Sequence, residues 1–231
     1  RERPVETILS GPAASVVGAM ALGGQDDTVV IDMGGTTTDI TIIRAGSPVL
    51  SADGATVGGW RTMVEAIEVY TCGLGGDSQV TRDERGGLQI GPNRAIPLAI
   101  LAHAHHEIVA ELRQQLQRER QPGDGEFLVL QRGLWPALPQ SPPFEPALQE
   151  ALLRGPVSAA RLREIVAHPG LYERYLNRLL REGLLVRAGL TPTDCAHVLG
   201  WYQEWDQAAA ELATALLARR LGLERDELCR R

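Results

Sequence analysis

The most constraining stretch of the chain is residues 28–44. Val29, Val30 and Ile31 form one apolar run, and Ile40, Ile42 and Ile43 with Thr41 form a second. β-Branched residues suit a pleated, half-buried surface, so both runs predict strands. Between them lie Asp32, Met33, Gly34, Gly35, Thr36, Thr37, Thr38 and Asp39, a turn short enough to make a hairpin. Gly34 and Gly35 have no Cβ, so backbone N–H groups there can approach an anion closely. The three threonines add uncharged hydroxyl donors. Asp32 leaves the end of its strand, where a carboxylate can hold a divalent metal or orient a water. A plain hairpin accounts for two glycines. Two aspartates bracketing the whole Gly/Thr set point further, to a phosphate-binding turn.

Composition narrows the chemistry. All 23 basic residues are Arg, and there is no Lys. That excludes a Walker-type phosphate loop, Schiff-base or pyridoxal-phosphate catalysis, and a Lys-dependent kinase site. A nucleotide must here be held by backbone, hydroxyls and a metal. The net charge of −6 argues against a dedicated nucleic-acid binder. Apolar residues make up 44% of the chain but aromatics only 4%, so the core must be built from Ala, Leu, Val and Ile. Cys72, Cys195 and Cys229 form no CxxC pair and read as reduced thiols in a cytoplasm. No apolar run approaches the ~18 residues of a membrane helix, and no secretory h-region precedes the first strand. The chain begins with Arg1, not Met, and is expected to start inside something longer or to be processed.

Two further segments accompany the hairpin. Ser10, Gly11, Pro12, Ala13, Ala14 and Ser15 open a helix, with Ser10 as N-cap and Pro12 in the first turn. Its small face with Gly18 and Ala19 suits close packing, and its N-terminus could face a phosphate. Later, Gly73, Gly75 and Gly76 with Asp77 and Ser78 make a loop able to approach a ligand. A helix is expected over 61–69 before this loop and a strand over 87–92 after it.

Downstream, residues 95–119 predict one long amphipathic helix. Residues 121–146 are rich in Pro and Gly and read as a connection holding a short strand at 127–130. Helices follow at 147–153, 158–167 (capped by Ser158, stopped at Pro169 and Gly170) and 171–182 (ended by Gly183), then a strand at 184–186. Thr191 and Asp194 offer caps for the final helical part, with a helix over 205–220. His103, His105 and His106 with Glu107 read as solvated helix surface rather than a metal site, and His197 as a packed or capping residue. Trp201, Tyr202 and Trp205 are expected to anchor the last helix. The 147–188 stretch is like a winged helix; Glu164, Glu173 and Glu182 offset its arginines, which favours packing over DNA binding.

The motifs in this order resemble the hydantoinase/oxoprolinase family, the A-type subunit of ATP-dependent hydantoinases. The matching stretches are TILSGPAA at 7–14, IDMGGTTTD at 31–39, VGG at 57–59, GLGGDS at 73–78, IGP at 90–92, LTPTD at 190–194, HVLG at 197–200 and WD at 205–206. The resemblance implies an α/β fold: an incomplete actin/Hsp70/sugar-kinase-like ATPase lobe with an inserted, mostly helical module. Residues 1–120 would be the lobe, 121–146 the connection, 147–190 the module and 191–231 a C-terminal helical segment. It implies ATP and Mg2+ as cofactors and a cyclic amide of the hydantoin or 5-oxoproline type as substrate. Asp32 and Asp39 would be catalytic, with Asp32 on the metal. Gly34, Gly35, Thr36, Thr37, Thr38, Gly75, Gly76 and Asp77 would bind nucleotide. The family uses two phosphate hairpins and this chain has the second, so a missing first lobe or a second subunit is implied. The alternative within the same fold is a non-catalytic or kinase-like nucleotide-binding subunit acting in regulation or assembly.

Overall fold

The hairpin motif folds as its pattern requires, inside the first of two compact units, Arg1–Gly75 and Gly76–Arg231. The structure, a computed structural model, describes residues 10–23, 26–51, 53–54, 56–57, 60–61, 66–131, 146–165 and 169–230. In the first unit, helix α1 (Ser10–Gly23) precedes β1 (Thr28–Met33) and β2 (Thr38–Arg44). Short strands β3 (Ser47–Pro48), β4 (Leu50–Ser51), β5 (Thr56–Val57), β6 (Trp60–Arg61) and β7 (Ala66–Ile67) lead to β8 (Val69–Cys72). β2 pairs antiparallel with β1, β3 and β8.

Strand alternation sorts the β1–β2–β8 sheet into two faces. Asp32, Asp39, Thr41 and Ile43 share the face that meets α1, where Val16 and Ile43 are buried. The opposite face carries Val29, Ile31, Met33, Ile42 and Tyr70, all exposed and apolar.

The expected helix over 61–69 is corrected at both of its described ends, which are strands β6, β7 and β8; residues 62–65 lie outside the described residues. Val69, Tyr70 and Thr71 favour a strand, and pairing of Val69 with Thr41 and of Cys72 with Thr38 locks them into one.

The second unit contains the hairpin β9 (Ser78–Arg82) and β10 (Leu88–Arg94), then β11 (Ile96–Pro97), α2 (Leu98–Ala104), α3 (Glu107–Gln117) and β12 (Phe127–Leu130). It continues with α4 (Pro146–Arg154), β13 (Val157–Ser158), α5 (Ala159–Ile165), α6 (Pro169–Arg181), β14 (Leu185–Gly189), α7 (Pro192–Val198), α8 (Gln207–Leu221) and α9 (Arg225–Arg230). One mixed sheet runs β11-β14-β12-β13, with only β11–β14 parallel. Phe127 and Val129 point into a core shared with α2, α3 and α8. Leu128 and Leu130 point into a second core with α4, α5 and α6. The described residues of 147–190 supply helices and two strands of this sheet, beside the strand from the Pro/Gly-rich connection; residues 132–145 and 166–168 lie outside the described residues.

Several local expectations are corrected. The helix over 95–119 is two helices, because His105 leaves helical dihedrals (φ −137°, ψ 71°) and its N–H caps Leu101. Pro169 opens α6, in keeping with proline's fixed φ at a first helical position; residues 166–168, where the helix before it is expected to end, lie outside the described residues. Trp201 is exposed, Tyr202 lies against buried His197 with ring centroids 5.7 Å apart, and Trp205 meets His103 edge-on with ring centroids 5.3 Å apart. Cys195 and Cys229, distant in sequence, share a side-chain hydrogen bond that, with burial, pushes the Cys195 thiol up. Among the described residues no helix is long and apolar enough to cross a membrane.

Asp194 ties this unit together. It is fully buried in the capping box of α7, with Thr191 N–H and Oγ1 donating to Oδ2 at 2.9 and 3.0 Å. Its Oδ1 accepts the Ala99 N–H at 2.8 Å and so joins α7 to α2. Burial raises its pKa from 3.8 to about 6 against the lowering effect of those bonds. A pKa raised by folding adds stability that is full below the unfolded pKa and is lost as pH rises through the folded one. Urea unfolding should therefore show Asp194→Asn gaining about 2–3 kcal/mol on the wild type between pH 4 and pH 7. A difference that stays flat with pH would contradict this assignment.

Candidate phosphate-binding site

The hairpin register places Asp32 opposite Asp39 and Met33 opposite Thr38. Residues 34–37 turn between them, closed by the Gly34 N–H donating to Thr37 O at 2.9 Å. The two carboxylates thus stand side by side on one face, each fixed by a hydroxyl. Ser15 Oγ of α1 donates to Asp32 Oδ2 at 2.5 Å. Thr71 Oγ1 of β8 donates to Asp39 Oδ1 at 2.6 Å. Neither partner was assigned from sequence. Ser15 lies five residues into a motif read for its N-cap, and only the strand character of β8 brings Thr71 beside Asp39.

The glycine loop closes against the same turn. Thr38, buried, donates through Oγ1 to Leu74 O at 2.7 Å. A Cβ on Gly75 would sit 2.6 Å from the Gly35 carbonyl carbon and oxygen and 2.7 Å from Gly34 O, closer than side-chain carbons approach backbone. Gly73 has nothing within 4 Å of that position. Gly34, Gly35 and Thr36 remain exposed and Thr37 half-buried. The structure thus gathers Asp32, Gly34, Gly35, Thr36, Thr37, Thr38, Asp39 and Gly75 around one turn.

Gly76 and Asp77 begin the second unit and are positioned by it. Gly76 O accepts from Thr193 N–H at 3.1 Å and Thr193 Oγ1 at 2.9 Å. Asp77 pairs with Arg94 at 2.9 Å. His105 contacts Glu107 at 3.2 Å and His106 contacts Asp206 at 3.3 Å. His197 is buried with Nδ1 on Thr193 O at 2.9 Å. Among the described residues, no three His, Cys, Asp or Glu side chains converge as a metal site.

The donor set fits a magnesium-nucleotide. Mg2+ is usually bound by one or two carboxylates and completed by phosphate oxygens and water, so a three-residue cage is not required. Paired carboxylates beside an exposed, Cβ-poor turn with hydroxyls meet that need without Lys.

Comparison with known proteins agrees with the motif order. Residues 1–108 match the family model described as hydantoinase/oxoprolinase. Over 98 residues the chain is 39% identical to caprolactamase subunit alpha of Pseudomonas jessenii, a match covering 41% of this chain and 14% of that protein. Acetone carboxylase, in the nucleotide-free structure titled for the mechanism of ATP-dependent acetone carboxylation, superposes with a TM-score of 0.50 at 17% identity. That match covers 96% of this chain and 22% of that one, so this chain spans a small part of both relatives. The fold is mixed α/β, of the actin/Hsp70-like class. The family match contains α1, the hairpin and the glycine loop.

Because Gly75 has no room for a Cβ and Gly73 has, these two glycines of the loop should respond differently. Gly75→Ala should lower stability by about 1–3 kcal/mol, the usual cost of forcing a methyl into packed surroundings. Gly73→Ala should leave the melting temperature within a degree or two of wild type. Equal melting temperatures for the two variants would contradict the close approach.

Proposed function

Taking residues 1–108 as a hydantoinase/oxoprolinase-family segment, we propose that this chain supplies the phosphate-binding half of an ATP-dependent hydrolase that opens a cyclic amide of the hydantoin or 5-oxoproline type. The observation that carries this reading is the pairing of Asp32 with Asp39 beside a turn on which Gly75 closes. Asp32 would hold Mg2+, which when bound neutralises charge on the phosphates. Ser15 keeps the Asp32 carboxylate in one orientation, and Thr71 does the same for Asp39. Gly35 and Thr36 offer backbone and hydroxyl donors to phosphate oxygens, while Gly34, whose N–H closes the turn on Thr37 O, leaves the approach to the turn free of a Cβ; phosphoryl transfer asks of a protein mainly such positioning and charge stabilisation. Asp39, from the same face, would orient the attacking group.

We propose further that another lobe or subunit completes the site. The caprolactamase relative is named as a subunit, and this chain spans 14% of it. The exposed apolar face of Val29, Ile31, Met33, Ile42 and Tyr70 supports the same reading, since contiguous apolar surface of this kind marks an interaction site. The three free cysteines support a reducing compartment such as the cytoplasm.

Calorimetry with ATP and Mg2+ tests the assignment. Asp32→Ala should weaken binding about tenfold or more, the scale of one charge-assisted contact, and Ser15→Ala by less, because it only frees the carboxylate. Equal affinities for wild type and Asp32→Ala would remove Asp32 from the site. Tight binding without turnover on hydantoin or 5-oxoproline would favour a regulatory nucleotide-binding subunit.

A further inference from the structure

A groove of about 890 Å3 opens in the second unit, and five arginines line it. Arg174, Arg178 and Arg181 come from α6, Arg187 from β14 and Arg94 from β10. The three on α6 stand at i, i+4 and i+7, a spacing that puts them on one helix face. In a chain of net charge −6 this is a marked local concentration of positive charge.

The arginines differ in how they are compensated. Arg94 pairs with Asp77 at 2.9 Å, Arg178 with Glu182 at 2.8 Å and Arg187 with Glu126 at 3.9 Å. Arg174 and Arg181 use Nε to bond the carbonyls of Gly170 and Asn177, each at 3.2 Å. Among the described residues no carboxylate pairs with either of them. Two guanidinium forks, exposed and suited to bidentate capture of phosphate or carboxylate, thus face one groove. Leu180 and Val186 add apolar lining between the charges. The volume lies within the range of small-molecule sites, roughly 300–1,000 Å3. Two uncompensated charges are few for a nucleic-acid backbone, which is bound through many phosphate contacts.

We infer that this groove binds a small organic polyanion, its phosphate or carboxylate groups taken by Arg174 and Arg181 and its carbon skeleton resting on Leu180 and Val186. The site uses residues of the second unit only and does not depend on the hairpin reading. Calorimetry of the full chain in EDTA, with pyrophosphate in one arm and citrate in the other, tests it and tells the two anion chemistries apart. At least one anion should bind at one per chain, with an affinity that falls as salt rises. Arg174→Gln/Arg181→Gln should weaken it about tenfold or more, Arg174→Lys/Arg181→Lys by less, and Asp32→Ala not at all. Both arginines are exposed, and an unchanged melting temperature would exclude unfolding as the cause. The inference is overturned if neither anion binds at millimolar concentration, if the double Gln variant binds as well as wild type, or if short duplex DNA binds more tightly than both.

Discussion

The antiparallel register of β1 on β2 is the constraint on which the first unit depends. Side chains alternate faces along a strand, so a slip of one residue would send every one to the opposite face. The observed register puts Asp32 across from Asp39 and keeps Ile43 in the buried layer against α1. It also fixes where Thr38 falls, and Thr38 holds Leu74 at the start of the approach of Gly75 to the turn. The carboxylate pair, its hydroxyl partners and the closed glycine loop are consequences of one pairing.

The second unit is organised by a different principle. Its sheet is covered on both faces, and each strand sorts its residues by alternation between two aliphatic cores. With aromatics at 4% of the chain, Phe127 is the one aromatic in these cores among the described residues, and leucine and alanine supply the bulk of the packing. Asp194 is the polar exception. Its carboxylate satisfies the start of α7 and reaches across to Ala99, and the cost of burying it is a pKa raised above the ordinary carboxylate range.

Features encoded locally were legible in the sequence. The hairpin, the capping box at Thr191 and the strand at Phe127–Leu130 each rest on a few neighbouring residues whose chemistry allows one conformation. Features set by distant pairing were not. Residues 66–72 have no strong period of their own, and β2 decides that Val69–Cys72 is a strand. The break at His105 interrupts an apolar pattern that reads through it without a breaker residue. Within the site, Asp32 and Asp39 were named from their positions at strand ends, whereas Ser15 and Thr71 became visible once α1 and β8 were placed beside them.

In the proposed function the turn at residues 34–37, between Asp32 and Asp39, receives phosphate. Amide chemical-shift mapping by nuclear magnetic resonance, with ATP and Mg2+ titrated into the 15N-labelled chain, tests it most directly. Saturable shifts are expected at the amides of Gly34, Gly35, Thr36 and Thr37 and of Gly75, with the core helix α8 unmoved. Saturable shifts confined to other segments, with the hairpin amides unchanged at saturating nucleotide, would contradict it.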